Sequence, residues 1–316
     1  MQRAWVFFWL LALIWGSSFL LMRIGVAQIP PAQLTFTRTV IAAVAMNITL
    51  LLLRKRYPTD RSTLIWLVVI GLGNTAIPFT LLAWGEQTVE SGMTSVLQAI
   101  TPVFALVIAH FTFADERITP LKIMGIALSF GGIVVLTSRD WAAGQGFGGD
   151  LSGEIAILVA SFCYGLFTNV SRKTLRDKKV EPVVVAAVSM TAAAVSAAVM
   201  MYTLPLLGER APVSYASLTP EVLRAGVVLG VLNTFVAYLM FYYVIEGLGA
   251  ARAAMVTYVV PVVAVTLGAL FLNEMIDATL LLGSALILAG IALVNLRLLQ
   301  RRAKLETPLA QQPEKL

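Results

Sequence analysis

Residues 73–76, Gly-Asn-Thr-Ala, lie inside a long apolar stretch, and residues 232–235, Leu-Asn-Thr-Phe, repeat the pattern 159 positions later. At the same spacing Pro102, within Ile-Thr-Pro-Val, matches Pro261, within Val-Val-Pro-Val. Self-similarity at a fixed spacing is typical of chains built from structural repeats. The sequence therefore predicts two related halves.

The repeat extends beyond these two stretches, in chain order. The further matched pairs are Trp15 with Tyr164, Gly16 with Gly165 and Arg23 with Arg172 at a spacing of 149, and Glu116 with Glu274, Gly125 with Gly283 and Gly132 with Gly290 at a spacing of 158. From them we predict a first five-helix repeat over residues 1–137, an extracytoplasmic connector over 138–150, a second five-helix repeat over 151–297 and a cytoplasmic polar tail over 298–316.

The composition indicates a membrane protein. Hydrophobic residues make up 59% of the 316 residues and charged residues 13%, whereas soluble domains have about 45–50% apolar and about 25% charged residues. With one cysteine, Cys163, and one histidine, His110, the chain has neither an intramolecular disulfide nor a multi-histidine or multi-cysteine zinc site of its own. We therefore expect no metal and no cofactor.

Ten apolar segments are long enough to cross a bilayer, whose hydrocarbon core of about 30 Å needs about 20 residues per helix. The predicted segments are 4–25, 32–53, 63–84, 91–113, 119–137, 151–171, 182–204, 221–244, 248–271 and 278–297. The breaks between them are too short for a soluble domain. Because nine spans follow the first, we interpret it as a retained helix and not as a signal peptide.

The distribution of lysine and arginine predicts the orientation of the chain. If the N-terminus is cytoplasmic, 18 of the 23 basic residues lie in cytoplasmic segments and 3 in outer loops. Cytoplasmic loops of membrane proteins carry such an excess of positive charge. We expect both termini in the cytoplasm, and the net charge of +6 then needs no nucleic-acid partner to explain it.

Two halves of five helices each must cross the membrane in opposite senses, because five is an odd number. In inverted repeats of this kind, exchanging the conformations of the halves converts an inward-open form into an outward-open form. This all-α membrane architecture is typical of secondary transporters and fits a receptor or an anchored enzyme poorly.

Residues 15–19, Trp-Gly-Ser-Ser-Phe, resemble the entry motif of the EamA branch of the drug/metabolite transporter superfamily. The matched prolines, the matched glutamates and the glycine-bearing fifth and tenth helices share the resemblance, which covers about residues 5–297. It implies ten helices in an inverted five-plus-five topology and secondary transport of small metabolites. Amino-acid exporters, including the aromatic amino-acid exporter type, are the best-known members, but substrates in the family vary widely.

Polar residues within the spans are the first candidates for substrate binding. Asn74 and Asn233 are buried amides that need a partner on another helix or on a substrate, and Gln98 is similar. The guanidinium of Arg38 suits a substrate carboxylate, although it could also reach the headgroups or a backbone carbonyl. We expect a central site lined by helices one, three, four, six, eight and nine.

Aromatic and proline residues complete the predicted site. The predicted aromatic lining consists of Trp15, Phe19, Trp84, Tyr164, Tyr238, Tyr242 and Tyr258. Aromatic walls with a few polar groups suit an organic ligand, whereas aromatics at helical spacing also pack simply against neighbouring helices. Pro102 and Pro261 are predicted to kink helices four and nine and to act as hinges, the alternative being a static kink.

Acidic residues are predicted only at the ends of spans. Carriers coupled to protons or sodium usually keep a carboxylate at depth, so this distribution favours facilitated diffusion or substrate exchange, and leaves His110 as a group that could titrate.

We therefore predict a secondary transporter, not an enzyme, that exports amino acids or related compounds by alternating access. We expect a bacterial inner membrane, and a monomer or weak homodimer. The alternatives are a carrier for a nucleotide sugar, a drug or an organic cation, and less readily a channel or scaffold subunit.

Overall fold

The computed structural model describes residues 2–113, 116–142, 151–175, 178 and 180–306. In these residues ten helices are long and apolar enough to cross a membrane, and no β-strand occurs. The helices are α1 Gln2–Val26, α2 Pro31–Leu52, α3 Arg61–Gly85, α4 Ser91–Thr112, α5 Pro120–Ala142, α6 Leu151–Leu175, α7 Pro182–Thr203, α8 Pro220–Leu248, α9 over 250–272 and α10 Ala278–Glu306. The predicted all-α fold with ten spans is confirmed.

The ends of the predicted repeats differ slightly from the helices. α5 continues to Ala142, five residues beyond the predicted end of the first repeat, and α10 continues to Glu306, into the predicted tail. The rest of the predicted connector, 143–150, and the rest of the tail, 307–316, lie outside the described residues.

Helix starts follow local sequence signals. α2, α7 and α8 begin with a proline in their first turn, where its fixed φ suits a helix and its missing N–H leaves no bond unmade. α3 begins after Asp60, whose carboxylate accepts hydrogen bonds from the amides of Ser62 and Thr63. A hydrogen bond from the hydroxyl of Thr63, one from Lys178 and these amide bonds hold the pKa of Asp60 below its usual range.

Two membrane faces follow from the direction of the helices. We call the face that holds Gln2 the N-terminal face, and the face that holds the turn between α1 and α2 the far face. α1 begins at the N-terminal face, whereas α6, the first helix of the second half, begins at the far face. The halves are thus inverted, as the sequence predicts.

The two halves contact each other through matched positions. Gly16 on α1 lies against Val263 on α9, and the matched Gly165 on α6 lies against Phe104 on α4. Ser129 on α5 donates to the carbonyl of Ile287 on α10, its own counterpart. In each case small residues let the helix backbones approach closely, and each contact has an equivalent when the halves are exchanged.

α3 and α8 each contain a π-helical segment at the same place in the repeat. The segments are Leu72–Ala76 in α3 and Val231–Val236 in α8, and they include the two stretches that define the repeat. A π-helical turn inserts one extra residue and often occurs at functional sites. The sequence did not predict these segments, because they have no distinctive composition.

α4 and α9 are broken, but not at equivalent places. α4 is interrupted at Ala99 and Ile100, so Pro102 lies in the first turn of its second piece, Thr101–Thr112. The hydroxyl of Thr101 donates to the carbonyl of Gln98 at 2.8 Å, which Pro102 leaves without its helical donor. α9 is interrupted earlier, at Met255, and Pro261 lies inside its longer piece, Val256–Leu272. The breaks therefore differ from the predicted pair of equivalent kinks.

Candidate substrate site

A cavity of about 350 Å³ lies between the two halves. It is lined by residues of α1, α2, α3, α4, α6, α8 and α9, so α2 joins the six helices that the sequence predicts. Predicted binding or lining residues found there are Trp15, Phe19, Arg38, Asn74, Gln98, Tyr164, Asn233 and Tyr238, and Pro102 lies beside them.

Three predicted lining residues and Pro261 lie outside the lining of this cavity. The indole of Trp84 donates to Glu209 at 2.7 Å, in a separate cavity of about 320 Å³ near the far face. The hydroxyl of Tyr258 accepts a hydrogen bond from Asn295 on α10. Tyr242 packs beside Tyr238, with ring centroids 6.4 Å apart, in a cluster with α2, α3 and α7. The prediction that these side chains share one lining is corrected accordingly.

Several lining residues were not among the predicted binding residues. They are Ser18, Met22, Phe79, Leu82, Ser95, Ala99, Thr101, Thr168, Phe241, Ala254, Thr257 and Val260. Hydroxyl groups in this set lie within a few residues of predicted positions on α1, α4, α6 and α9. Spacing on those helices was a usable signal for the hydroxyls, but not for the apolar residues, because most residues of these helices are apolar.

Arg38 lies in the cavity wall with 6% of its surface exposed. Its Nε donates to the hydroxyl of Thr234 at 2.7 Å, and its guanidinium lies over the ring of Phe79, 3.9 Å from the centroid. Among the described residues no carboxylate pairs with it. A buried arginine with few partners has N–H donors left for an anion.

The two matched asparagines contribute acceptors to the same cavity. The amide nitrogen of Asn233 donates to the hydroxyls of Ser17 and Ser18, both at 3.0 Å, and to the carbonyl of Ile14. The side-chain oxygens of Asn233 and Asn74 are buried and have no hydrogen-bond partner within the described part of the chain. Leaving such an acceptor unpaired costs about 1–3 kcal/mol, which a donor on a bound ligand would recover.

The cavity is open towards the N-terminal face. At that end its lining residues Thr168 and Ala254 are exposed. At the other end Met22, Leu82 and Ser95 are buried, with at most 2% of their surface exposed. The far face is therefore closed.

Hydrogen bonds between loops and helix ends close the far face. The amide of Gln33 donates to the carbonyl of Val213 at 2.8 Å, and Arg210 donates to the carbonyl of Val26 at 2.9 Å. Glu86 is completely buried here, and its carboxyl oxygens have no hydrogen-bond partner in the residues that the structure describes. Burial raises the pKa of this carboxyl well above its usual value, although the charge of Arg23 opposes the shift. The sequence placed Glu86 at the end of a span and did not predict its burial.

Comparisons with known proteins agree with this architecture. The family described as "EamA-like transporter family" matches residues 3–138 and again residues 151–296. The "Uncharacterized transporter YoaV" of Bacillus subtilis is 30% identical over 283 residues, which are 88% of this chain and 92% of that protein. The "Uncharacterized inner membrane transporter YedA" of Escherichia coli is 31% identical over 90% of this chain and 88% of its own length.

A third relative and a solved structure are also similar to this chain. The "Probable terminal-alkyne amino-acid exporter" of Streptantibioticus cattleyicolor is 29% identical over 93% of this chain and 94% of that protein. A solved structure named "Crystal structure of protein" aligns with 96% of this chain and 99% of its own, with a TM-score of 0.63 and 20% identity, which supports the fold alone. The family matches together span most of the chain, and this multi-pass membrane protein belongs to the EamA-like transporter family.

Proposed function

We propose that the protein exports amino acids or closely related zwitterions across a cell membrane by alternating access. The observation that carries the proposal is the cavity that holds Arg38 and two amide oxygens, where the described residues provide no carboxylate for the guanidinium and no donor for the oxygens. One relative is named as an amino-acid exporter, which supports the same cargo class.

The polar groups of the cavity complement both charges of an amino acid. The guanidinium of Arg38 takes the carboxylate, because its planar N–H donors match two carboxylate oxygens. The oxygens of Asn74 and Asn233 accept hydrogen bonds from the ammonium group, which has three donors and no acceptor. The rings of Trp15 and Phe241, 5.2 Å apart, offer an apolar wall for the side chain.

The size and charge of the cavity argue against the other cargoes. A volume of about 350 Å³ is near the lower end of the range of small-molecule pockets, about 300–1,000 Å³, which favours an amino acid over a nucleotide sugar. An organic cation would meet the positive charge of Arg38, and like charges in a buried site disfavour binding.

The orientation follows from the basic residues. The loops of the N-terminal face carry most of the lysines and arginines, so this face is cytoplasmic by the positive-inside rule. The conformation described above is then inward-open, the state in which an exporter loads its cargo. The inner membrane named for the Escherichia coli relative is the membrane that we propose.

Counterflow in proteoliposomes tests the proposal directly. Vesicles loaded with single amino acids, a nucleotide sugar or an organic cation are offered the labelled compound outside. We expect labelled amino acids to accumulate transiently inside the vesicles, at an initial rate that saturates with their concentration. For amino acids without net charge, a membrane potential of either sign should leave this rate unchanged. Flux that rises linearly with concentration would indicate a channel, and counterflow of only the other two compounds would refute the cargo.

A further inference from the structure

The turn between α3 and α4, residues 86–92, is held on both sides by charged groups from other helices. We propose that Arg23 and Glu274, which hold this turn, form a clasp that exchanges roles with its repeat counterpart, Arg172 and Glu116. When the far face opens, Arg23 and Glu274 leave the turn and pair with each other, while Arg172 and Glu116 separate and hold the matched turn, residues 245–251. This inference rests on the proposed alternating access and assigns the residues that switch it.

On the closed far face both members of the clasp contact the backbone. Arg23 donates to the carbonyl of Glu86 at the end of α3 and, at 3.5 Å, to that of Val89. The carboxylate of Glu274 accepts from the amides of Ser91 at 2.7 Å and Gly92 at 2.9 Å, at the start of α4. A cation at a helix C-terminus and an anion at an N-terminus are both stabilised by the backbone dipoles.

The position of Glu274 is built by its surroundings. Asn273, in the left-handed region with φ of 55°, ends α9 and turns the chain so that the next side chain points back to the far-face turn. A methyl group added to Gly268 would overlap the carboxylate, and one added to Gly92 would be 3.3 Å from it. The two glycines therefore leave the space that the carboxylate needs against α4.

On the open N-terminal face the counterparts contact each other. Arg172 donates to Glu116 at 3.0 Å, and Lys122 lies 4.0 Å from the same carboxylate. The side chains of Arg172 and Glu116 are 46% and 27% exposed, so water reaches this pair. The same two residue types thus hold a turn on the closed face and form an ion pair on the open face.

The exchange keeps every charge of the clasp paired in both states. Each arginine has either its glutamate or backbone carbonyls, and each glutamate has either its arginine or backbone amides. The charge-assisted hydrogen bonds to the backbone on the closed face are stronger than the ion pair on the open face, because water reaches and screens that pair. Each clasp therefore stabilises the closure of its own face. The matched spacing of Arg23 with Arg172 and of Glu116 with Glu274 makes the two states mirror images, as alternating access of inverted repeats requires.

Cysteine labelling in nanodiscs tests the clasp without transport. In a Cys163→Ser background, Ser95→Cys reports opening of the far face and Thr168→Cys reports opening of the N-terminal face, since both line the cavity at opposite ends. The reagent is a hydrophilic maleimide that is too large to enter the cavity from the N-terminal face. It can therefore reach Ser95→Cys only when the far face opens. We expect Glu274→Gln to raise labelling at 95 and lower it at 168, and Glu116→Gln to do the opposite, each by about tenfold.

Two further variants separate a switch from a damaged fold. If the two clasps oppose each other, the double variant with Glu274→Gln and Glu116→Gln should have the labelling rates of the parent at both positions. If the single variants instead damage the fold, the double variant should deviate from the parent more than either single variant. Glu181→Gln removes an exposed partner of Lys55 on the N-terminal face and leaves both labelling rates unchanged. Shifts of the same sign in both single variants, or no shift in either, would overturn the clasp.

The parent protein shows whether the proposed function fails instead. If amino acids change the two labelling rates in opposite directions but the glutamate variants do not, alternating access stands and the clasp is wrong. If the variants shift the rates oppositely and no amino acid does, the clasp stands and the cargo is wrong.

Discussion

The π-helical segments of α3 and α8 occupy the same place in the repeat but have different neighbours. In α8, the side-chain amide of Asn233 donates a hydrogen bond to the hydroxyl of Ser18 on α1. In α3, the matched contact comes from Phe167 of α6, whose ring lies against Gly73. A polar contact on one side of the cavity thus corresponds to an apolar one on the other, although the backbones are equivalent.

This difference assigns the two matched amides to different tasks. The nitrogen of Asn233 joins α8 to α1, so this asparagine is partly structural. No serine of α6 takes the corresponding place beside Asn74, because residues 166 and 167 are leucine and phenylalanine. Asn74 is therefore the amide more available to cargo. A shared backbone repeat is compatible with a one-sided binding site when the side chains at the contact differ.

Arg38 is expected to give the largest effect, because it provides the cavity with its positive charge and its one hydrogen bond to an oxygen among the described residues goes to Thr234 of the α8 segment. Arg38→Gln should reduce counterflow of amino acids by about a hundredfold, as expected when a bidentate charged contact is lost. Arg38→Lys should recover part of the loss by charge but not the planar geometry. Initial rates over a range of cargo concentrations measure both.

The matched control for Arg38 is Arg224→Gln, which makes the same change at an exposed arginine of α8 bonded to the carbonyl of Pro220. It should retain the parental rate. Full activity of Arg38→Gln would show that the guanidinium does not bind the cargo and that Arg38 has only a structural role.

Gly73 tests the apolar side of the comparison. Gly73→Ala places a methyl group within the ring of Phe167, and overpacking of this kind costs about 1–3 kcal/mol. We expect a lower melting temperature in detergent, and recovery when Phe167→Leu is added to make room. The equivalent position in α8 is Leu232, exposed, so Leu232→Ala should leave the melting temperature nearly unchanged. Equal losses in both variants would show that the two sides are packed alike.

The two asparagines should separate stability from affinity. Asn233→Ala removes three hydrogen bonds to α1. Since one interhelical hydrogen bond in a membrane contributes about 0.6 kcal/mol on average, the free energy of unfolding should fall by about 1–2 kcal/mol. Asn74→Ala should leave stability unchanged and raise the KM for amino acids by about threefold to tenfold, as expected for one lost hydrogen bond. Melting curves and counterflow on the same preparations compare them, and identical behaviour of the two variants would contradict the assignment.

The spans and their repeat could be predicted from the sequence because apolar length and matched spacing depend on the chain alone. The residues that meet in the cavity, such as Arg38 and Asn74, are polar within apolar segments, and polar groups there need partners. Trp84, Tyr242 and Tyr258 lie outside the lining of this cavity, and the sequence could not show this because a helix that is apolar nearly all round does not reveal which face turns inward. The π-helical segments and the burial of Glu86 depend on tertiary packing and have no local signal.

Glu86 extends the comparison from the cavity to its two ends. Its counterpart in the second half is Ile245, so a buried carboxyl closes the far face where the other face has an isoleucine. The charged groups that act on Glu86 are Arg23, Glu274 and Arg38, but burial is the largest influence and raises its pKa. The protonated form is therefore the one compatible with closure.

The sign of the pH effect follows, and it is the smallest change that we expect. When the far face opens, water reaches Glu86 and its pKa returns towards the ordinary value, so opening releases a proton. Between the ordinary and the raised pKa, increasing pH therefore favours the open far face, by a few-fold and at most about tenfold per pH unit. Because maleimide reacts with the thiolate, whose fraction rises with pH, each labelling rate is divided by the rate of the same variant unfolded in denaturant at that pH. This ratio for Ser95→Cys should rise with pH in the parent, stay low and independent of pH in Glu86→Gln, and keep the parental dependence in Glu90→Gln. A parental pH dependence that survives in Glu86→Gln would assign the proton to another group and leave closure of the far face independent of this carboxyl.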